Sequence, residues 1–224
     1  MAHRTFGDRE LSPNQEFRRA ELIDAACRLL RTRGVAACTV RAVADEAGIS
    51  KGAVNYYFKD VSELIDLGFL RLAHNFYDHV REQASRADDP VEALWRTVVM
   101  YVTPWGLHSG MGLLWAEYYL DGVRSKRLDG VLESQQAMVG LFTEALAKVS
   151  AAVEVHGPAL TRHVTGAILS EPHVRISTDD FVAEVSRLIE VAPPTTTEFG
   201  CDAPDCPFHS GTQSPSGNDA GAEE

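Results

Sequence analysis

Residues 39–58 read TVRAVADEAGISKGAVNYYF, and the fold follows from how these twenty residues double back on themselves. Val40, Val43, Ala44 and Ala47 recur at i, i+3, i+4 and i+7, which places them on one face of a short helix. Gly48 comes next, where a sharp turn between two helices needs a positive φ that other residues resist. Ser50 caps a second short helix, in which Val54 faces inward and Phe58 follows one turn later. Two short helices that cross closely need a small residue at the contact, and Ala44 supplies it. The pattern predicts a helix-turn-helix whose second helix enters a DNA major groove.

The outward residues of that second helix are Lys51, Gly52, Ala53, Asn55 and Tyr56. A long cation, a small apolar group and an amide all address base edges, the amide pairing with adenine and a methyl meeting thymine. Tyr57, Lys59 and the helix starts at Thr39 and Ser50 suit phosphate oxygens. The plainer alternative is a helical hairpin with an ordinary polar surface. Charge favours the first reading. Residues 1–60 hold ten Lys and Arg against eight Asp and Glu, while the remainder hold eleven against 24, in a chain of net charge −11. Such a balance excludes binding nucleic acid over the whole surface and leaves the N-terminal end for it.

The chain of 224 residues is 45% hydrophobic and 24% charged, enough for a small domain plus a larger one and too apolar for a disordered polymer. Outside residues 39–58 the apolar spacing is helical nearly throughout. Helices are expected at about 14–33, 39–48, from Ser50, and at 61–86, this last opened by Asp60 with Glu63. Asp89, Pro90 and Glu92 open a fifth that ends near Pro104. Four more are expected at 111–120, 126–151, 157–170 and 179–191, the last capped by Ser177 with Asp180. Nine helices and no sheet predict an all-α protein. It divides into a flexible arm (1–13), a helix-turn-helix domain (14–60), a larger domain (61–192) and an acidic tail (193–224). The tail has no Lys or Arg and too little apolar area to offset chain entropy, so disorder is expected there.

Residues 97–116 contain no Asp, Glu, Lys or Arg, about the length of a membrane span. Pro104, Gly106, His108, Ser109, Gly110 and Gly112 interrupt them, which predicts two buried helices meeting at a break and no membrane segment. Four scattered cysteines and a charged start without an apolar signal segment predict a cytoplasmic location.

With its preceding helix and the capped helix that follows, TVRAVADEAGISKGAVNYYF resembles the TetR family of bacterial transcription regulators, over about residues 18–64. The resemblance implies a ligand-responsive regulator, most often a repressor released from a palindromic double-stranded DNA operator by a small-molecule effector. By it Thr39 caps the second helix and Arg41 reaches a base or phosphate. Lys51, Gly52, Ala53 and Asn55 face the groove, and Tyr56, Tyr57 and Lys59 lie near the backbone. Two residues depart from the pattern. Asn55 stands where many members have Tyr, and Val61 where they have Lys, which removes one expected phosphate contact and leaves Lys59 to substitute for it.

The resemblance also implies that the larger domain binds ligand and dimerises. Trp95, Met100, Tyr101, Trp105, His108, Met111, Trp115 and Tyr118 crowd one stretch, with Tyr119 beside them. Tyr and Trp join apolar bodies to hydrogen-bonding tips and Met adapts its shape, as a pocket for a flat or elongated apolar effector requires. A helical core of this size needs large aromatics too, so pocket and plain core both stand at this point. Met138, Phe142 and His163 are placed to face the same space, and Glu117 either orients a ligand or sits on a solvated face. One reading helix makes too few base contacts alone, so a homodimer is expected. The family likeness puts its interface on the last two helices. Their apolar positions are Leu160, Val164, Ala167, Ile168, Phe181, Val185, Leu188 and Ile189, with small residues Gly166 and Ala183, and internal packing is the alternative use of the same stripes.

In the tail Cys201, Cys206 and His209 form C-x4-C-x2-H. These are soft ligands for zinc, with His173 as one source of a fourth, or a thiol pair for a redox switch, or incidental residues of a mobile segment. No cofactor is otherwise required. An enzyme with a helical fold is the remote alternative, and the chain has no Walker loop, G-x-S-x-G or H-E-x-x-H to support it.

Overall fold

The computed structural model describes residues 5–6, 9–105, 111–170 and 177–195. Its nine described helices are α1 (Pro13–Arg33), α2 (Val40–Ala47), α3 (Lys51–Tyr57), α4 (Val61–Ala84), α5 (Pro90–Trp105), α6 (Met111–Arg124), α7 (Leu128–Leu146), α8 (Val153–Ser170) and α9 (Thr178–Ile189). The arm differs from expectation. Thr5–Phe6 (β1) pairs antiparallel with Arg9–Glu10 (β2), a two-residue ribbon too short to show as alternation in sequence.

Local chemistry sets the helix starts. The Thr39 hydroxyl accepts from the Ala42 N–H at 3.1 Å, and Ser50 from Ala53 at 3.2 Å. Asp60 accepts from both Ser62 and Glu63, at 2.8 and 3.1 Å. Gly48 ends α2 at φ 68°, ψ 31°, the left-handed conformation the turn demands.

Four boundaries move. Helix α6 runs to Arg124, a turn past the expected end, and α7 starts only at Leu128. Between them Lys126 takes φ 57°, which no helix accommodates. Helix α7 stops at Leu146, where the N–H groups of Val149 and Ser150 turn back onto the Leu146 carbonyl. Helix α8 begins at Val153, a turn early, and holds Pro158 inside it.

Helix α1 packs chiefly on α4 and also on α2, which in turn packs on α3, and Leu22, Ile23, Ala25, Ala26, Leu29 and Leu30 are all within the core. Gly68 makes the α1–α4 contact possible, since a Cβ there would lie 3.0 Å from Leu30 Cδ1 and 3.2 Å from the Ala26 Cβ. Helices α4, α5 and α7 form the body, with α8 packed on α7 and α9 on α8. Leu160, Val164, Ile168, Phe181, Val185 and Ile189 are spent inside this packing. They are therefore not the surface a second copy would meet. The outward side of α8 carries Val155, Arg162, Gly166 and Leu169, and that of α9 carries Ala183 and Arg187. Among the described residues no helix is long and apolar enough to cross a membrane.

Candidate nucleic-acid interface

The α2–α3 unit stands on a small core of Val43, Ala44, Val54 and Phe58, each 2% exposed or less. The Ile49 N–H donates to the Ala44 carbonyl at 3.0 Å across the Gly48 turn, which sets the angle between the two helices. The Arg19 guanidinium lies over the Phe58 ring at 4.9 Å and pairs with Glu63 at 2.9 Å, so α1 and the start of α4 grip the end of α3. Arg28 on α1 pairs with Glu46 on α2 at 2.7 Å.

Helix α3 thus has one face in the core and the other in solvent. Lys51, Gly52, Asn55 and Tyr56 are exposed, with Ala53 half-buried between them. Among the described residues Lys51 and Asn55 have no hydrogen-bonding or charged partner, so both are available to a ligand. Thr39, Arg41, Ser50 and Lys59 are also exposed, and Tyr57 is half-buried edge-on to Tyr56 at 5.0 Å. Arg41 lies 3.9 Å from Asp45, a loose exposed pair. Gln15 escaped sequence reasoning. Its side-chain oxygen accepts from the Ser12 N–H at 2.9 Å while its amide donates to the Tyr56 hydroxyl at 2.9 Å. The Ser12-x-x-Gln15 spacing was the available signal for the first of these bonds; nothing local signals the second.

Residues 22–66, from within α1 to the start of α4, match the family model described as bacterial regulatory proteins, tetR family. Over this N-terminal segment the chain is similar to the tetR family. Relatives agree over the same region. The HTH-type transcriptional regulator TtgR of Pseudomonas putida is 37% identical over 76 residues, which is 34% of this chain and 35% of that protein. BetI of Burkholderia thailandensis, also an HTH-type transcriptional regulator, is 33% identical over 85 residues, 38% of this chain and 44% of its own length. The matches to these curated relatives span less than half of either protein. Solved structures extend the likeness to the body. The multidrug binding protein EbrR, complexed with imidazole, is 26% identical with a TM-score of 0.57, covering 83% of this chain and 94% of that one. The regulator SCO7518 of Streptomyces coelicolor A3(2) shares the fold at a TM-score of 0.62 and 20% identity, over 77% of this chain and 98% of its own.

Beyond the matched segment, the aromatic residues of the body do not form one group. Tyr101 on α5 meets Phe142 and Met138 on α7: its ring lies 5.2 Å from Phe142 and its hydroxyl 2.8 Å from the Met138 sulfur. Phe76 and Tyr77 of α4, which sequence reading did not single out, complete that cluster at 5.5 and 6.1 Å from Tyr101. Burial pushes the Tyr101 and Tyr77 phenols above their ordinary pKa, so both remain neutral donors. Trp95 is elsewhere. It is fully buried and its indole N–H donates to the Ala192 carbonyl at 3.1 Å, which ties α5 to the end of α9. Tyr118 stacks on Phe69 of α4 at 3.9 Å, whereas Trp115 is only half-buried and stacks on Tyr119. Met100 and Met111 are buried. His163 packs against Phe181 and lies 3.3 Å from Glu184, so it belongs to the α8–α9 contact and not to this space. The Trp105 side chain, His108, His173, Cys201, Cys206 and His209 lie outside the described residues. Among the described residues no three His, Cys, Asp or Glu side chains gather as a metal site.

A cleft of about 450 Å³ opens between α4, α5 and α7, lined among others by Arg81, Thr97, Leu141, Glu144 and Lys148. Its register is informative. Arg81 lies four residues after Tyr77, Tyr101 four after Thr97, and Leu141 three after Met138. The cleft is thus one helical turn from the Tyr101 cluster on all three helices.

Proposed function

We propose that the chain is a homodimeric transcriptional repressor that reads a palindromic DNA operator with two α3 helices and leaves it when a small, largely apolar or aromatic effector binds the body. One observation carries the DNA half: a capped α3 seated on its own core, with Lys51 and Asn55 outward and unpartnered beside exposed Thr39, Arg41 and Lys59. The tetR-family match and the regulators that share it support the same reading. Asn55 is the base-reading amide, Lys51 and Ala53 its neighbours in the groove, and Arg41, Tyr56, Tyr57 and Lys59 the phosphate-side contacts.

The effector half rests on the cleft and the aromatic cluster one turn inside it. An effector's apolar body would displace packing around Tyr101, Met138 and Phe142, with its polar end at Arg81 and Lys148. The name of EbrR, a multidrug binding protein, supports a small organic molecule in a body of this fold. Release is then a population shift, because an effector favours the arrangement that spaces the two α3 helices wrongly for successive grooves about 34 Å apart. DNA as partner makes the cytoplasm its place of action.

The test is selection of duplexes from a random pool by the full chain, followed by footprinting and titration at several salt concentrations. A two-part palindrome bound with a steep salt dependence is the expected result; failure to enrich any duplex overturns the proposal.

A further inference from the structure

Beyond α4, which runs continuously from head to body, a second connection joins the two parts. It is made by α6 from Glu117 onward. Glu117 on α6 reaches the turn after α1, where its carboxylate accepts the Val35 N–H at 3.0 Å. The approach is tight by construction. Gly34 sits at φ 77°, and a Cβ on it would fall 2.6 Å from the same Glu117 oxygen. One turn on, Asp121 shares the Arg127 guanidinium with Asp66 of α4, and Arg127 also donates to the Ser62 carbonyl at 3.4 Å, in the first turn of α4. Although burial opposes its charge, Asp66 and Asp121 hold Arg127 above its ordinary pKa, so the clamp stays ionised. Between these points the Tyr118 ring stacks on Phe69, and its buried hydroxyl sits beside Asp66.

We propose that Glu117 is a positioning residue for DNA reading: the Glu117–Val35 bond, backed by the Arg127 clamp, sets the angle of the reading head against the body. This rests on the DNA-reading proposal above. A head carried by α4 alone would pivot about one helix. The α6 attachment at the far end of α1 supplies the second point that a fixed angle requires. Angle matters only when two heads must meet two half-sites at once, so the bond should count for a full palindrome and not for a single half-site.

The experiment uses the full chain, the palindrome that the wild type selects from a random pool, and the same duplex with one half-site scrambled. Glu117→Ala is expected to weaken binding to the palindrome about tenfold, the size of one charge-assisted hydrogen bond. Affinity for the single half-site should stay within about twofold. The Val35 amide, followed by NMR hydrogen exchange, should exchange at least about tenfold faster. Glu117→Gln retains an acceptor oxygen without the charge and is expected to recover part of the palindrome affinity and of the Val35 protection, with half-site binding unchanged. Equal losses on both duplexes would mean damage to the head itself and would overturn the proposal, as would unchanged or tighter palindrome binding. A wild type that selects no duplex, or only a single half-site, defeats the paired-reading proposal first, an outcome distinct from normal wild-type binding that Glu117→Ala leaves intact.

Discussion

In the proposed DNA complex Asn55 and Lys59 do different work at the same surface, and their substitution should separate the two. Asn55→Ala removes a bidentate donor and acceptor. It is expected to cost about 1–3 kcal/mol at one base pair and to relax preference there, read from binding to single-position variants of the selected duplex. Lys59→Ala should weaken all sequences alike and lower the salt slope by about one. Cys38 is a residue of another kind. It is buried beneath the head, and burial pushes its thiol from 9.0 up to about 11. The folded state therefore keeps a proton that the unfolded chain has lost between those values. The stabilisation is complete below pH 9 and fades as pH rises through 11. Melting temperatures measured from pH 8 to 11 should fall more steeply for the wild type than for Cys38→Ala; parallel curves would remove Cys38 from the account.

Helices here meet at two glycines with opposite demands. At Gly48 a methyl group finds nothing within 4 Å, but φ is 68°. Gly48→Ala is expected to cost about 1–2 kcal/mol through backbone strain alone. At Gly68 the backbone is ordinary helix and the neighbours are close, including the Cys27 backbone nitrogen at 3.3 Å. Overpacking of about 1–3 kcal/mol should there exceed the gain of up to about 1 kcal/mol in helix propensity. Urea midpoints check both, and a stabilised Gly68→Ala would show that α1 and α4 separate freely. The caps at Thr39, Ser50, Asp60 and Ser177 were readable because each is a local exchange between a side chain and an N–H within three residues. The end of α6 and the start of α7 were not, because Lys126 holds a positive φ beside the Arg127 clamp, whose partners Asp66 and Asp121 lie on α4 and α6.

For the whole molecule, the proposed twofold assembly has a surface that follows from elimination. The apolar stripes of α8 and α9 are internal, and Gly166 has open space above it, between exposed Arg162 and Leu169 on α8. Gly166→Arg should improve helix propensity by up to about 1 kcal/mol, so the monomer keeps its fold. Sedimentation should nevertheless show the dimer lost, and palindrome binding with it. An unchanged sedimentation coefficient would move the interface elsewhere.

By itself the sequence determined what short-range physics determines: the nine helices among the described residues, the Gly48 elbow, and an α3 with Lys51 and Asn55 outward. Helical period and capping need no knowledge of distant residues. Only the tertiary structure decided that the crowded aromatics divide among Trp95 at the end of α9, Tyr118 on Phe69 and the Tyr101 cluster. It also decided that Glu117 bonds the turn after α1, since its partner Val35 stands 82 positions away. Such pairings depend on which helices become neighbours, and that is settled by burial of the whole core at once.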